Sequence, residues 1–450
     1  MKRMDICGAA LLLAMLLGSC KEQARNKATS GDTQTTAATD TSRQRAAGRE
    51  LNLPPPDTTH EVKNFSKVLG WPADKTPVAP AGFQVTRYAA DFRNPRWIYV
   101  APNGDILVAE ANTEAKGTEK VQAQATGKAQ SQQLGNSANR ITLLRDTNKD
   151  GQPDLRTVFL EGLNQPLGML VLQDQFYVAN TDGLWRFPYQ AGQTKIRAQG
   201  RKIVNLPAGG YNNHWTRNLV ANADGSKIYI SVGSASNLAE HGLAEEERRA
   251  NILEINPDGS GERVYASGLR NPVGMGWAPG THTLWTVVNE RDGLGEDLVP
   301  DYLTSVKEGG FYGWPYAYFG PHEDPRLAGQ RPDLEQKTLA PEVPLGAHTA
   351  SLGLAFYTGE AFPAKYHHGA FIGQHGSWNR SELAGYKVVF VPFKNGRPAG
   401  KPEDFLTGFI ADAGQAEVYG RPVGVTVLPD GSMLVADDAS NTLWRISVRP

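Results

Sequence analysis

The stretch Trp97-Ile98-Tyr99-Val100, Pro102-Asn103-Gly104, Asp105-Ile106-Leu107-Val108-Ala109 reads as one β-hairpin, two apolar runs held apart by a turn of proline, asparagine and glycine. The pattern returns as Arg217-Asn218-Leu219-Val220, Ala223-Asp224-Gly225, Lys227-Ile228-Tyr229-Ile230. It returns again as Val423-Gly424-Val425-Thr426-Val427, Pro429-Asp430-Gly431, Ser432-Met433-Leu434-Val435-Ala436. A second element leads into such hairpins: Arg93-Asn94-Pro95, Asn164-Gln165-Pro166-Leu167-Gly168, Arg270-Asn271-Pro272-Val273-Gly274 and Gly420-Arg421-Pro422-Val423-Gly424.

Repetition at irregular intervals points to small sheets with insertions between them. One such sheet cannot cover both of its faces, so neighbours pack radially and the ring closes about a channel. The expectation is an all-β, six-bladed β-propeller over residues 61–450, with the Arg, Asn and Gly of the second element at the channel end of each innermost strand. The 48 glycines and 29 prolines are scattered, as many short strands joined by turns require, and not periodic as in collagen. The 46 basic and 47 acidic residues leave no positive field for nucleic acid.

At the other end of the chain, Lys2 and Arg3 precede an apolar run over residues 9–17 that closes on Leu17-Gly18-Ser19-Cys20. The run is shorter than the roughly 20 residues a spanning helix needs. It resembles a bacterial lipobox, which implies a signal peptide over 1–19, lipidation at Cys20 and contact with a membrane through that anchor only. With Cys7 removed and Cys20 acylated, no cysteine remains for a disulfide or a metal-thiolate site. Lys21, where inner-membrane retention would show aspartate, implies the cell envelope, at the outer membrane facing the periplasm or the cell surface. Residues 20–60 carry too few apolar side chains to order themselves and are expected to be a tether.

Two insertions interrupt the repeats. Residues 114–137, rich in Gln, Ala, Gly and Lys, read as an exposed loop. Residues 308–344 carry Tyr312-Gly313-Trp314-Pro315-Tyr316, suited equally to walling a pocket and to packing over a blade. Asp146-Thr147-Asn148-Lys149-Asp150-Gly151-Gln152-Pro153-Asp154 has calcium-loop spacing, but Thr157 stands where a bidentate glutamate belongs, so a hairpin turn is expected.

His214, in Asn213-His214-Trp215-Thr216-Arg217, enters a strand after Gly209-Gly210 and could project into the channel as a general base. Arg270, Arg380 and Arg421 each stand beside turn residues. Three guanidiniums in one channel call for an anion, or for salt bridges to acidic strands. The loop Asn289-Glu290-Arg291-Asp292-Gly293-Leu294-Gly295-Glu296-Asp297 offers carbonyl and carboxylate oxygens to a hard cation.

Taken in order, the His-containing strand start, Arg270-Asn271-Pro272, the acidic glycine loop, Tyr312-Gly313-Trp314-Pro315, residues 349–357, Gly376-Ser377-Trp378-Asn379-Arg380 and Arg421-Pro422 resemble the soluble quinoprotein glucose/sorbosone dehydrogenase family. The similarity runs over residues 82–450. It implies a six-bladed propeller that binds pyrroloquinoline quinone (PQQ) and Ca2+ and oxidises a sugar or related alcohol. His214 would take the substrate's hydroxyl proton as hydride passes to the quinone, with Arg217 orienting it. Arg270 and Asn271 would bind the cofactor, and Arg380 and Arg421 would meet its anionic groups. Calcium would lie on the carbonyls of Arg291 and Asp292, with Glu296 and Asp297 in support, and would polarise the quinone.

Val273 stands where glucose-oxidising members carry glutamine, which puts glucose in doubt and draws the chain towards the sorbosone or pyranose dehydrogenase branch. With no haem-attachment motif, electrons are expected to leave to a separate acceptor. Two rival readings use the same architecture. One is a calcium-dependent lactonase or esterase, and the other is a non-catalytic carbohydrate- or protein-binding propeller.

Overall fold

The computed structural model describes residues 43–46, 49–114 and 118–449. The expected signal peptide and Cys20 lie outside the described residues. The chain divides after Thr41, and the larger unit, Ser42–Pro450, holds every sheet among the described residues.

Six four-stranded antiparallel sheets follow one another along that unit. The first holds Pro95–Val100, Ile106–Glu110, Arg140–Arg145 and Leu155–Leu160; the second Met169–Leu172, Gln175–Asn180, Gly183–Pro188 and Arg201–Asn205. The third holds Arg217–Ala221, Ile228–Val232, Asn251–Ile255 and Arg263–Ser267; the fourth Pro272–Trp277, Leu284–Val288, Pro300–Ser305 and Val343–Ala347. The fifth holds Ser351–Phe356, Ala370–Gln374, Lys387–Val391 and Glu403–Leu406. The sixth joins Pro422–Val427, Met433–Asp437 and Thr442–Val448 to Phe83–Ala89 from the other end of the chain. That last pairing ties the two ends together and removes a free sheet edge.

The three hairpins read from the sequence are the first two strands of the first, third and sixth sheets. Each turns on a glycine with positive φ, Gly104 at 88°, Gly225 at 69° and Gly431 at 79°, a region that other residues enter at a cost. In two of them an aspartate caps the turn, Asp224 accepting from the Ser226 N–H and Asp430 from the Ser432 N–H.

The glycines of the second element serve close approach instead. A Cβ on Gly168 would stand 2.6 Å from the Leu219 backbone nitrogen, one on Gly274 2.7 Å from that of Leu354, and one on Gly424 2.8 Å from the Arg96 carbonyl. Gly353 lies closer still to the Val423 carbonyl. In each case the neighbour is the first strand of the next sheet, so these backbones touch where any side chain would hold them apart. The Asn218 amide donates to the Val273 carbonyl and the Tyr99 hydroxyl accepts from the Val171 N–H, which adds the two remaining neighbour contacts.

Val273 lies in an apolar cluster with Trp97, Leu167, Leu352 and Val423, contributed by the starts of five different sheets. Its side chain is therefore packing, which is why no polar group stands there.

Ordered contacts begin before the boundary expected at residue 61. Leu53 is buried beside Leu294 and Tyr302, and the Asp57 N–H donates to the Leu294 carbonyl. Lys67–Val68 then pairs in parallel with Glu417–Val418. Residues 114–137 differ from the expected loop, since they include helices Thr118–Ala125 and Lys128–Ser131. Their Ala, Gln and Lys are good helix formers, a signal outweighed in the sequence by flanking glycines. The Asp146–Asp154 segment is the turn between the last two strands of the first sheet, its carboxylates spent on its own backbone.

Candidate active site

The second element places its polar residues at the same ends of the sheets as the residues that leave each second strand. His214 precedes the first strand of the third sheet, and Ser234 follows its second. His214 Nδ1 is 2.9 Å from both the carbonyl and the hydroxyl oxygen of Ser234. That hydroxyl donates to the Ser236 carbonyl, so both Ser234 oxygens act as acceptors and Nδ1 carries the proton. Nε2, with no hydrogen bond among the described residues, holds a lone pair. Burial, and next the positive charge of Arg270, push this imidazole well below its usual pKa and keep it neutral.

Arg217 is fully buried and braces the backbone of His214. It donates to the His214 carbonyl at 2.6 Å and to the Pro207 carbonyl, Thr216 carbonyl and Asn212 amide oxygen.

Arg270 is buried with its guanidinium donating to Asn237 and Asn289, and it stands 3.7 Å from Asp292. Its backbone carbonyl accepts from the Ser234 N–H at 2.7 Å, which couples it to the His214 side of the site. The Asn271 amide oxygen and the His214 Cβ both crowd the place a side chain on Gly233 would take, and among the described residues that oxygen is buried without a hydrogen-bond partner.

Asp292 anchors the next part of the rim. Its carboxylate meets His348 Nδ1 at 3.1 Å and accepts from the Asn379 amide at 2.8 Å. Burial opposes its ionisation, but the His348 hydrogen bond and the Arg270 charge outweigh burial and hold the carboxyl below its usual range. Arg380 follows directly on Asn379 and is engaged by the Glu296 carbonyl and by Asp297 at 3.1 Å.

Arg421 is buried beneath the Tyr386 ring, donating through Nε to the His375 carbonyl at 2.8 Å and through Nη2 to that of Gly376 at 2.7 Å. Nη1 is buried and unpartnered, and among the described residues no carboxylate lies within ion-pair distance of this guanidinium. A chain of contacts runs back from it to the His214 segment. His375 pairs with Asp438 at 2.9 Å, Asp438 with Arg96 at 2.5 Å, and Arg96 lies over the Trp215 ring.

The structure thus brings His214, Arg217, Arg270, Asn271 and Arg421 onto one connected rim and carries Arg380 to its outer edge. Ser234, Asn237, His348, His375 and Asp438 belong to the same rim and were absent from the sequence reading. All but His348 follow the second strand of a sheet, where the sequence carries no recurring motif like the Arg-Asn-Pro element before the first strand.

The expected cofactors fit unequally. An anionic group with several carboxylates suits Arg421 Nη1, while the orphaned Asn271 oxygen, an acceptor, calls for an N–H or O–H of the ligand. For calcium, the Asp292 carbonyl already accepts from Asn237 at 3.0 Å and from the Arg326 guanidinium at 2.8 Å. The Glu296 carboxylate is held by the Ser381 N–H and hydroxyl. The Arg291 side chain is locked to Glu290, Asp324 and the carbonyls of Pro315 and Ala317. The Asp292 carbonyl and the Glu296 carboxylate are thus engaged by protein donors. The 308–344 insertion explains part of this, because Trp314 is buried and donates to the Asn237 carbonyl, clamping the loop down on the rim.

Residues 74–439 match the family described as a domain of unknown function, DUF7133, and the chain belongs to that family. It is 27% identical over 273 residues to the aldose sugar dehydrogenase YliI of Escherichia coli, a match covering 57% of this chain and 65% of that protein. Its fold is that of the holo form of the pyranose dehydrogenase PQQ domain from Coprinopsis cinerea, with TM-score 0.66 and 21% identity over 85% of this chain and all of that one. The calcium structure of the Trichoderma reesei carbohydrate-active enzyme of family AA12 is similar too, with TM-score 0.66 and 18% identity over 86% of this chain and 99% of that one.

Proposed function

We propose that this chain oxidises a sugar or a related alcohol or aldehyde by hydride transfer to PQQ, on a six-bladed propeller whose channel mouth carries His214 as the base. The single observation that carries the reading is Arg421, a buried cation that has, among the described residues, an unpartnered nitrogen and no carboxylate within ion-pair distance, connected through the rim to a neutral imidazole with a bare Nε2. A buried guanidinium nitrogen without a partner is costly and suits an anionic ligand.

Bound at this rim, the quinone supplies the hydride acceptor, a chemistry that belongs to the cofactor. Arg421 would meet its carboxylates, and Arg270 and Asn271 would fix its position next to His214. His214 Nε2 would take the substrate's hydroxyl proton, while Ser234 holds the tautomer and Arg217 holds the backbone. The PQQ-containing relative supports the same ligand here, and YliI supports an aldose-type substrate. Val273, being a packing residue, supports the sorbosone or pyranose branch over glucose. Calcium dependence is proposed from the calcium-containing relative alone, and no step is assigned to the ion. Arg380 is assigned the outermost contact with the cofactor. Cys20 is assigned the lipid anchor, which would hold the enzyme in the cell envelope beside a separate electron acceptor.

Among the described residues no group of three or more His, Asp, Glu or Cys is placed to hold a metal ion, which separates this reading from a carboxylate-caged calcium lactonase. The test is dye-linked oxidation of a panel of aldoses, pyranoses and sorbosone by PQQ-loaded protein, with His214→Ala alongside. Turnover of any member that is lost in the variant supports the reading. Lactone hydrolysis without dye reduction would replace it.

A further inference from the structure

Asn112 leaves the second strand of the first sheet, and Ala439 leaves that of the sixth directly after the rim residue Asp438. Both line a cavity of about 490 Å³ that is also walled by Leu69 and by Ala129 and Gln130 of the 114–137 insertion. Its volume lies within the range of about 300–1,000 Å³ typical of small-molecule sites. The wall is tied down, the Ser66 N–H donating to the Ser131 hydroxyl at 3.2 Å and the Gln130 amide to the Val68 carbonyl at 3.1 Å. Asn94 joins it to the rim, its amide donating to Gln133 Oε1 at 2.8 Å and to the Asp438 carbonyl at 3.2 Å. On the other flank Thr113, next to Asn112, accepts from the indole N–H of Trp215 at 2.8 Å. The walls are therefore continuous with the segments that carry His214 and His375.

The lining decides what the cavity can hold. Among the described residues no charged side chain faces it. Asn112 engages its amide oxygen with the Thr113 N–H, and Gln130 its amide nitrogen with Val68, which leaves a donor on Asn112 and an acceptor on Gln130. Beside these stand the apolar Leu69, Ala129 and Ala439, and Leu69 is 55% exposed, an open hydrophobic wall. A sugar ring meets both demands, because each hydroxyl donates and accepts while the C–H face of the ring covers an apolar wall. A carboxylate ligand would find no cation here, and an acyl chain would leave the two amides unpaired.

We propose that this cavity is a carbohydrate subsite, which takes a neutral sugar unit linked to the unit oxidised at the rim, so that the substrate class is neutral oligosaccharides rather than monosaccharides. The link to oxidation rests on the dehydrogenase reading, whereas sugar binding in the cavity does not. Ala129 and Gln130 act on specificity alone and take no part in the transfer of hydride or proton.

Two measurements on the full chain, in a detergent without a sugar headgroup, test it. The first is saturation-transfer NMR without cofactor, with maltotriose, cellotriose and xylotriose as probes. At least one of them binds, and Ala129→Trp, which fills the cavity, weakens that binding by about ten-fold or more. Gln130→Ala, at an exposed position that folding tolerates, weakens it by about three-fold or more through the lost acceptor. No binding of any probe, or binding that neither variant changes, overturns the proposal even if sugar oxidation is observed. The second is dye-linked oxidation by PQQ-loaded protein, in which kcat/KM for the bound trisaccharide exceeds that for its monosaccharide and the ratio falls towards one in both variants. A ratio of one in the parent overturns the assigned substrate class. Probe binding that responds to both variants without any dye reduction upholds the subsite and overturns the dehydrogenase reading.

Discussion

His214 Nδ1 faces two acceptor oxygens of one residue, the carbonyl and the hydroxyl of Ser234, each at 2.9 Å. The imidazole therefore has one available tautomer, with its lone pair on the free Nε2. His214→Ala is expected to lower kcat by about 10²- to 10⁴-fold, the range of a lost general base. Ser234→Ala keeps the carbonyl and should cost less than about ten-fold, since one acceptor still fixes the tautomer. Dye-linked kinetics at saturating substrate check both, and equal losses would show that the hydroxyl, not the carbonyl, sets the ring.

Because burial and the Arg270 charge keep His214 neutral, kcat/KM should stay flat as pH falls from 7 through 6.5, the value of a free histidine. The acidic limb should appear only below that. A pH–rate profile with its midpoint at or above 6.5 would mean that the essential base is not held in this environment.

His375 makes a linked prediction for stability. Burial, followed by the Arg421 charge, lowers its pKa to about 4 in the folded chain. Between about 4 and 6.5 the unfolded chain binds a proton that the folded chain does not, so this residue's contribution to stability falls as pH drops through that window and levels off beneath it. Denaturation midpoints measured from pH 7 to 4 should decline less steeply in His375→Gln than in the parent.

The fold was legible because its signals are local. Gly104, Gly225 and Gly431 mark turns that are complete within a few residues, and Gly168, Gly274 and Gly424 recur at one place in each repeat. The rim was legible only in part, for a reason that lies in pairing. His214 and Arg270 announce themselves by neighbouring turn residues, whereas Asp438 is meaningful only beside His375, 63 positions away in the chain. The calcium residues show the reverse case. The acidic loop read well as a string of oxygens, but its oxygens are occupied by Arg326, Asn237 and Ser381 from distant segments.

The glycines between sheets can be tested directly. Gly168→Ala places a methyl 2.6 Å from the Leu219 nitrogen and 2.7 Å from the Asn218 Cα, backbone atoms that cannot swing aside. A loss of about 1–3 kcal/mol or more is expected from such overpacking. Gly209→Ala, where nothing stands within 4 Å, should change stability by less than about 0.5 kcal/mol. Urea unfolding of the two variants gives the comparison.

Arg421→Ala should weaken PQQ binding by about ten- to 100-fold, the worth of one charge-assisted hydrogen bond at about 1.5–3 kcal/mol. Arg421→Lys should recover part of it, keeping the charge but not the fork that also holds the His375 and Gly376 carbonyls. Equilibrium titration of each variant reads the difference.

The most direct measurement of the central claim is a titration of the purified chain with PQQ, with and without calcium, followed by cofactor absorbance. Saturation at one PQQ per chain at micromolar concentration, shifted to higher concentration in Arg421→Ala, is the predicted result. No absorbance change at any accessible PQQ concentration would contradict the account, because the unpaired cation at Arg421 would then have some other anion as its ligand.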